Sequence, residues 1–118
     1  MFHAYLFFGG NCREAFTRYE EVFGGELFLM SMKDAPGNEG APPEHADMII
    51  HAAITIGDAV LMGSDDPMSE SFGPVQGIMV TYDAADVADA ERVFGALADG
   101  GTVSQELIPT FVSQAFGM

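Results

Sequence analysis

Three imidazoles, one thiol and a surplus of carboxylates make up the reactive chemistry of this sequence. His51 has the most suggestive setting. It falls in MIIHAAITIGDAVLMGSDD, Met48 to Asp66, where an apolar, β-branched run to Ile56 meets Gly57-Asp58. The chain returns over Ala59 to Met62 before Gly63 and the acidic Ser64-Asp65-Asp66. That pattern predicts two antiparallel strands joined by a tight turn. Period two then puts Ile50, Ala52, Ile54 and Ile56 on one face and Ile49, His51, Ala53 and Thr55 on the other. An imidazole among small side chains suits a sheet curved around a small-molecule pocket. A core or surface His that finds one hydrogen-bond partner would have the same pattern. His45, in the Pro- and Gly-rich stretch KDAPGNEGAPPEHA, reads as a solvated loop residue. Cys12, one turn before Phe16, reads as a small buried residue rather than a nucleophile.

The elements that must position these residues follow from periodicity. Phe2 to Phe8 predicts a first strand, ended by Gly9-Gly10. Asn11 with Glu14 three residues on reads as a capping box, and Ala15, Phe16, Tyr19, Val22 and Phe23 recur at helical spacing until Gly24-Gly25. Glu26 to Met32 predicts a second strand. Lys33 to Ala46 is then a loop long enough to act as a lid. After the hairpin comes an irregular stretch, Pro67 to Pro74, whose Met68 and Phe72 could rim a pocket or simply pack the loop down. Val75 to Tyr82 predicts a strand, and Asp83 a cap for a helix with the apolar stripe Val87, Ala90, Val93, Phe94 and Leu97. Gly100-Gly101 stops that helix. Thr102 to Ile108 predicts a further strand that Pro109 breaks, with Thr110 to Met118 beginning another.

Composition narrows the classes of function. The chain has 118 residues, 48% of them hydrophobic, which is enough for one core and a single domain. Four basic against 18 acidic residues give a formal charge of −14, which repels nucleic-acid phosphate and anionic membrane surfaces. One cysteine forms no intrachain disulfide, MFHAYLFFGG lacks a basic signal-peptide start, and no apolar run is long enough to span a bilayer. A soluble, cytoplasmic protein is expected.

The element order repeats. Strand, capped helix, Gly-Gly, strand occurs in Phe2 to Met32 and again in Val75 to Ile108. The expected architecture is one α+β domain, 1–118, built from two βαβββ modules, 1–66 and 75–118. Their strands would form a curved, mostly antiparallel sheet with the helices outside. The second module is short by roughly 20 residues, about one strand and its connection, so either that last strand is missing from it or a partner chain fills its place.

Paired modules of this kind resemble the glyoxalase/bleomycin resistance/dioxygenase group, the vicinal oxygen chelate superfamily. Within it, the blocks YLFFGGNCREAFTRYEEVFGGEL, IIHAAITIGDAVLMGSDD and GGTVSQELIPTFVSQAFGM are similar to those of PhnB-like proteins, often labelled 3-demethylubiquinone methyltransferase-like. Tyr5, Gly10 to Ala15, Tyr19, Phe23 to Gly25, His51, Gly57-Asp58, Asp65, Thr110-Phe111 and Phe116-Gly117 fall on motif positions. Val112 stands where a Trp is usual, and a further Trp-bearing strand would follow Gly117.

The resemblance implies a metal-dependent isomerase, lyase or dioxygenase acting on a small molecule. His3 and His51 would be ligands of one divalent ion (Zn, Ni, Fe or Mn), and Glu106 or Gln114 could complete the set across a homodimer. Two imidazoles alone fall short of the three or four protein ligands such a site takes. The alternative is a metal-free protein that sequesters a drug-like or cationic ligand against Phe7, Tyr82, Thr110 or Phe111. A bare scaffold kept for assembly is a third. No adenosylmethionine site is recognisable, so methyl transfer is not expected. No CxxC pair, Walker loop, GxSxG elbow or GxGxxG after a strand occurs.

Overall fold

A computed structural model describes residues 1–38, 40, 42–67 and 73–118. Met68 and Phe72 lie outside the described residues. The chain divides into two compact units, Met1–Ile78 and Met79–Met118.

The first unit has the order anticipated for a βαβββ module. β1 (Ala4–Phe8), α1 (Cys12–Phe23) and β2 (Glu26–Ser31) are followed by a single 3-10 turn (Met32–Asp34), β3 (Ile49–Ile56) and β4 (Ala59–Asp65). The strands form one open sheet ordered β1-β4-β3-β2, parallel between β1 and β4 and antiparallel elsewhere. The turn between β3 and β4 is the expected Gly57-Asp58, with Gly57 at φ 59° and Asp58 on the ordinary negative side. A positive φ at the first central residue alone is a type II′ turn, which matches the twist of the strands it joins.

α1 lies on one face of this sheet. Cys12 and Phe16 meet Ile49, Ala52 and Ile54 there in a fully buried cluster, ringed by Phe8, Tyr19, Leu27, Leu29, Ile56 and Leu61. Leu27, Leu29, Ala52, Ile54, Leu61 and Phe8 obey period two. Ile49 does not: it was expected on the face of His51. The register against β2 slips between Met30 and Ser31, which pair with His51 and Ile49, so Ile50 is an extra residue and turns Ile49 into the core. A one-residue bulge reverses facing for everything beyond it.

A second correction concerns the start of α1. Asn11 makes no side-chain cap. The carboxylate that meets the Cys12 amide comes instead from Asp65, at the end of β4. The end of α1 is as anticipated, since Gly24, at φ 72°, returns its N–H to the Glu20 carbonyl at 2.8 Å.

In the second unit α2 (Val87–Ala98) is capped by Asp86, whose side chain accepts the Asp89 N–H at 2.7 Å, rather than by the anticipated Asp83. Its apolar stripe, Val87, Ala90, Val93, Phe94 and Leu97, lines an open groove of about 950 Å³. Gly117 closes against this helix, for a Cβ there would stand 2.6 Å from the Phe94 ring. The expected strand over Thr102 to Ile108 is reduced to a narrow antiparallel pairing. Ile108 and Phe116 exchange backbone bonds of 2.9 and 2.7 Å, and Gln105 and Met118 exchange bonds of 3.0 and 2.9 Å. Val75 to Tyr82 is no strand among the described residues, and Val75, Ile78, Met79 and Val80 are exposed. Alternating apolar residues supply a face, but a strand exists only where a neighbour takes its backbone hydrogen bonds.

Candidate functional site

The face of the first unit's sheet that α1 leaves uncovered carries the candidate site. Successive side chains alternate across a strand, so Tyr5 and Phe7 of β1, Met62 and Ser64 of β4, His51 and Ala53 of β3, and Glu26, Phe28 and Met30 of β2 belong to this face. The strand register aligns Tyr5, Met62, Ala53 and Phe28 in one row across all four strands. Phe7 pairs with Ser64 and Met30 with His51 in the next row.

His51 is the centre of an aromatic group. The Tyr5 hydroxyl lies 3.2 Å from its Nδ1, and the two rings stack with centroids 5.9 Å apart. Phe28 approaches from the other side at 6.2 Å, and Phe7 leans on Tyr5 at 5.4 Å. With the imidazole proton on Nε2, the phenol donates to Nδ1 and the free Nε2–H is a donor for a ligand. In the imidazolium, Nδ1–H donates to the phenol oxygen instead. Phe7 is 60% exposed, Phe28 48% and Tyr5 40%, so this is an open aromatic surface around a half-buried imidazole. Small Ala53 between Met62 and Phe28 leaves the rings standing proud of the sheet.

The anticipated metal partner of His51 is not brought to it. His3 is exposed and precedes β1. Continuing the register back one residue sets it level with Val60, whereas His51 is level with Ser64. Four residues of strand, about 13 Å, and two strand spacings, about 10 Å, separate their backbones. Among the described residues no three of His, Cys, Asp and Glu are gathered as a metal-binding group. The donor set therefore does not fit an ion shared by His3 and His51.

The other anticipated site residues belong to the second unit. Tyr82 lines the groove beside α2 and donates its hydroxyl to Asp89 at 2.7 Å, a bond that pushes the phenol up and the Asp89 carboxyl down. Thr110 organises a turn, its Oγ1 accepting from the Ser113 amide at 3.1 Å, and Phe111 is fully exposed at that turn. Neither Thr110 nor Phe111 lines the groove. Glu106 is exposed, and its carbonyl accepts from the Gln105 side chain at 2.8 Å. Sequence reasoning gave Phe7 a pocket role but not Tyr5 or Phe28. Their parity with His51 was readable for Tyr5, while Phe28 required the β2–β3 register.

Behind the site, Cys12 is wholly buried and its thiol is pushed up to about 12, first by burial and then by the Asp65 charge. It is a small buried residue, as its setting in the sequence indicated. The long connection after β2 is drawn together at its base by Met32–Met48 and Lys33–Ala46 backbone bonds and by a Lys33–Asp47 ion pair of 2.9 Å. His45, half-buried, donates its amide to the Pro42 carbonyl in a turn within that connection.

No family model matches the chain. Protein YjdN of Escherichia coli (strain K12) is 29% identical to it, over 96% of this chain and 82% of that protein. The crystal structure of protein PA1353 from Pseudomonas aeruginosa is 39% identical and superimposes with a TM-score of 0.88, covering 100% of this chain and 86% of that one. The PhnB protein from Bacillus cereus, 22% identical with a TM-score of 0.76, covers 98% and 87% respectively and shares the fold. No helix among the described residues is long and apolar enough to cross a membrane. The chain therefore has a PhnB-like α+β fold and belongs to one family with Pseudomonas aeruginosa PA1353.

Proposed function

We propose that this protein binds a small planar organic molecule on the uncovered face of its β1–β4–β3–β2 sheet. Tyr5, Phe7 and Phe28 form the apolar platform, and His51 supplies the directed hydrogen bond. The observation that carries this reading is that Tyr5 and Phe28 flank one imidazole on an open sheet face, with Phe7 packed on Tyr5 and the Tyr5 hydroxyl holding Nδ1. Aromatic faces favour stacked rings, and a few placed polar groups then fix orientation. The reading corresponds to the binding-protein branch of the glyoxalase/bleomycin resistance/dioxygenase plan. In the enzyme branch a divalent ion would take His51 as ligand. A homodimer is the proposed assembly, supported by the exposed apolar side chains of Val75, Ile78, Met79 and Val80.

Calorimetric titration of phenol, 2-naphthol and indole into the purified protein tests this, with Zn²⁺ and Ni²⁺ titrated separately. Naphthol should bind, and His51→Ala should weaken it about tenfold, the scale of one lost hydrogen bond. Stoichiometric metal binding that His51→Ala abolishes, with no aromatic ligand taken up, would instead select the metal-dependent reading.

A further inference from the structure

Asp65 is a buried carboxylate that the binding site does not use, and its three partners lie on different elements. It is 5% exposed. Oδ1 accepts the Gly10 and Cys12 amides at 2.9 and 3.0 Å, and Oδ2 accepts the Ile49 amide at 2.8 Å. Gly10 follows β1, the strand of Tyr5. Ile49 opens β3, two residues before His51. The backbone pairing of β3 with β4 runs only to Ala52–Gly63, and beyond it the Asp65 side chain holds the bulged end of β3. On its other side β4 continues to β1, where the Asp66 amide reaches the Phe8 carbonyl at 2.9 Å.

We propose that Asp65 is the positioning residue of the Tyr5–His51 pair, a single carboxylate that clamps the end of β1 and the bulge of β3 to β4 and so fixes the imidazole against the phenol. A carboxylate accepting three backbone N–H groups is far stiffer than a loop contact, because losing its bonds to Cys12 and Ile49 leaves buried donors unpaired. The bulge decides what faces where: with Ile50 looped out, Ile49 fills the core while His51 stays on the open face. Without the Oδ2 bond nothing in β4 holds Ile49, and the slip that would return Ile50 to the ladder becomes accessible. The inference deepens the binding reading above. Its test observes His51 directly and needs no ligand, so it can fail while ligand binding stands, and the reverse.

The decisive variant is Asp65→Asn in the full chain. Its Oδ1 can still accept from Gly10 and Cys12, but its NH₂ faces the Ile49 N–H, donor against donor. The expected result is a folded protein with α1 amide resonances in place, in which the His51 Nδ1 nitrogen shift no longer responds to an added Tyr5→Phe. A folded Asp65→Asn protein whose His51 shift still responds to Tyr5→Phe as the parent's does would overturn the proposal. Amide hydrogen exchange in the unmodified protein decides it if that variant does not fold. One clamp predicts protection of Gly10, Cys12 and Ile49 equal to within about tenfold, as members of one opening unit. Ile49 exchanging like a free loop amide beside a protected Cys12 would contradict it.

Discussion

The phenol of Tyr5 lies 3.2 Å from Nδ1 of His51, so β1 and β3, which never pair directly, meet above the strand that separates them. That bridge gives the imidazole a defined orientation on an otherwise apolar face. Tyr5→Phe should free Nδ1, alter the tautomer balance of His51 and cost at most about 1 kcal/mol of stability, because the bond is solvent-exposed. Nitrogen-15 spectra of the ring and urea unfolding measure the two effects separately.

Gly63 leaves no room for a side chain between β1 and the Phe16 ring of α1. A Cβ there would sit 2.7 Å from the Leu6 carbonyl oxygen and 2.9 Å from the Phe16 ring. Leu6 oxygen is backbone and Phe16 is fully buried, so neither yields easily. Gly63→Ala should destabilise by about 2 kcal/mol, the usual scale of overpacking a core. Gly40→Ala, in open space, should be close to neutral in the same denaturation experiment.

Cys12 makes stability depend on alkaline pH. Its thiol ordinarily ionises near 9.0, but burial raises this to about 12 in the folded state. Between those values the unfolded chain has released a proton that the folded one retains, so the unfolded state gains stability as pH rises. Stability should therefore be undiminished by this group below pH 9 and fall progressively toward pH 12. Tyr19, raised by burial, adds in the same direction. Urea midpoints between pH 8 and 11 for the parent and Cys12→Ala should diverge with rising pH, and thiol reagents should label Cys12 only on unfolding.

The segment Val75 to Tyr82 shows where sequence and structure part. It was expected as a strand, yet it forms no strand among the described residues and exposes Val75, Ile78, Met79 and Val80. If a second chain covers it, sedimentation equilibrium at micromolar concentration should return a dimer, and Ile78→Asp with Val80→Asp should return a monomer. A monomeric parent protein would remove the dimer from the account.

What the sequence made readable was what depends on neighbours in the chain. Phe16 and Tyr19 at helical spacing, Gly24 at the helix end, and Gly57-Asp58 between β-branched runs each carry their signal within a few residues. The face of His51 was also legible, from period two. Ile49 and the cap of α1 were not, because both depend on Asp65, 16 residues from one and 53 from the other. Asn11 had the right type for a cap, but a buried carboxylate held in the sheet reached the amide instead. The resemblance implied a common ion for His3 and His51, and only the strand order revealed that four residues of strand and an intervening strand separate them.

If the uncovered sheet face is the binding surface, amide and methyl NMR spectra recorded during titration with 2-naphthol should show it. The largest, saturable shifts should fall on Tyr5, Phe7, Phe28, His51, Ala53 and Met62, and they should shrink in Phe28→Ser. Saturable shifts confined to Val93, Phe94, Leu107 and Phe116 around the α2 groove, with the sheet face unmoved, would contradict it.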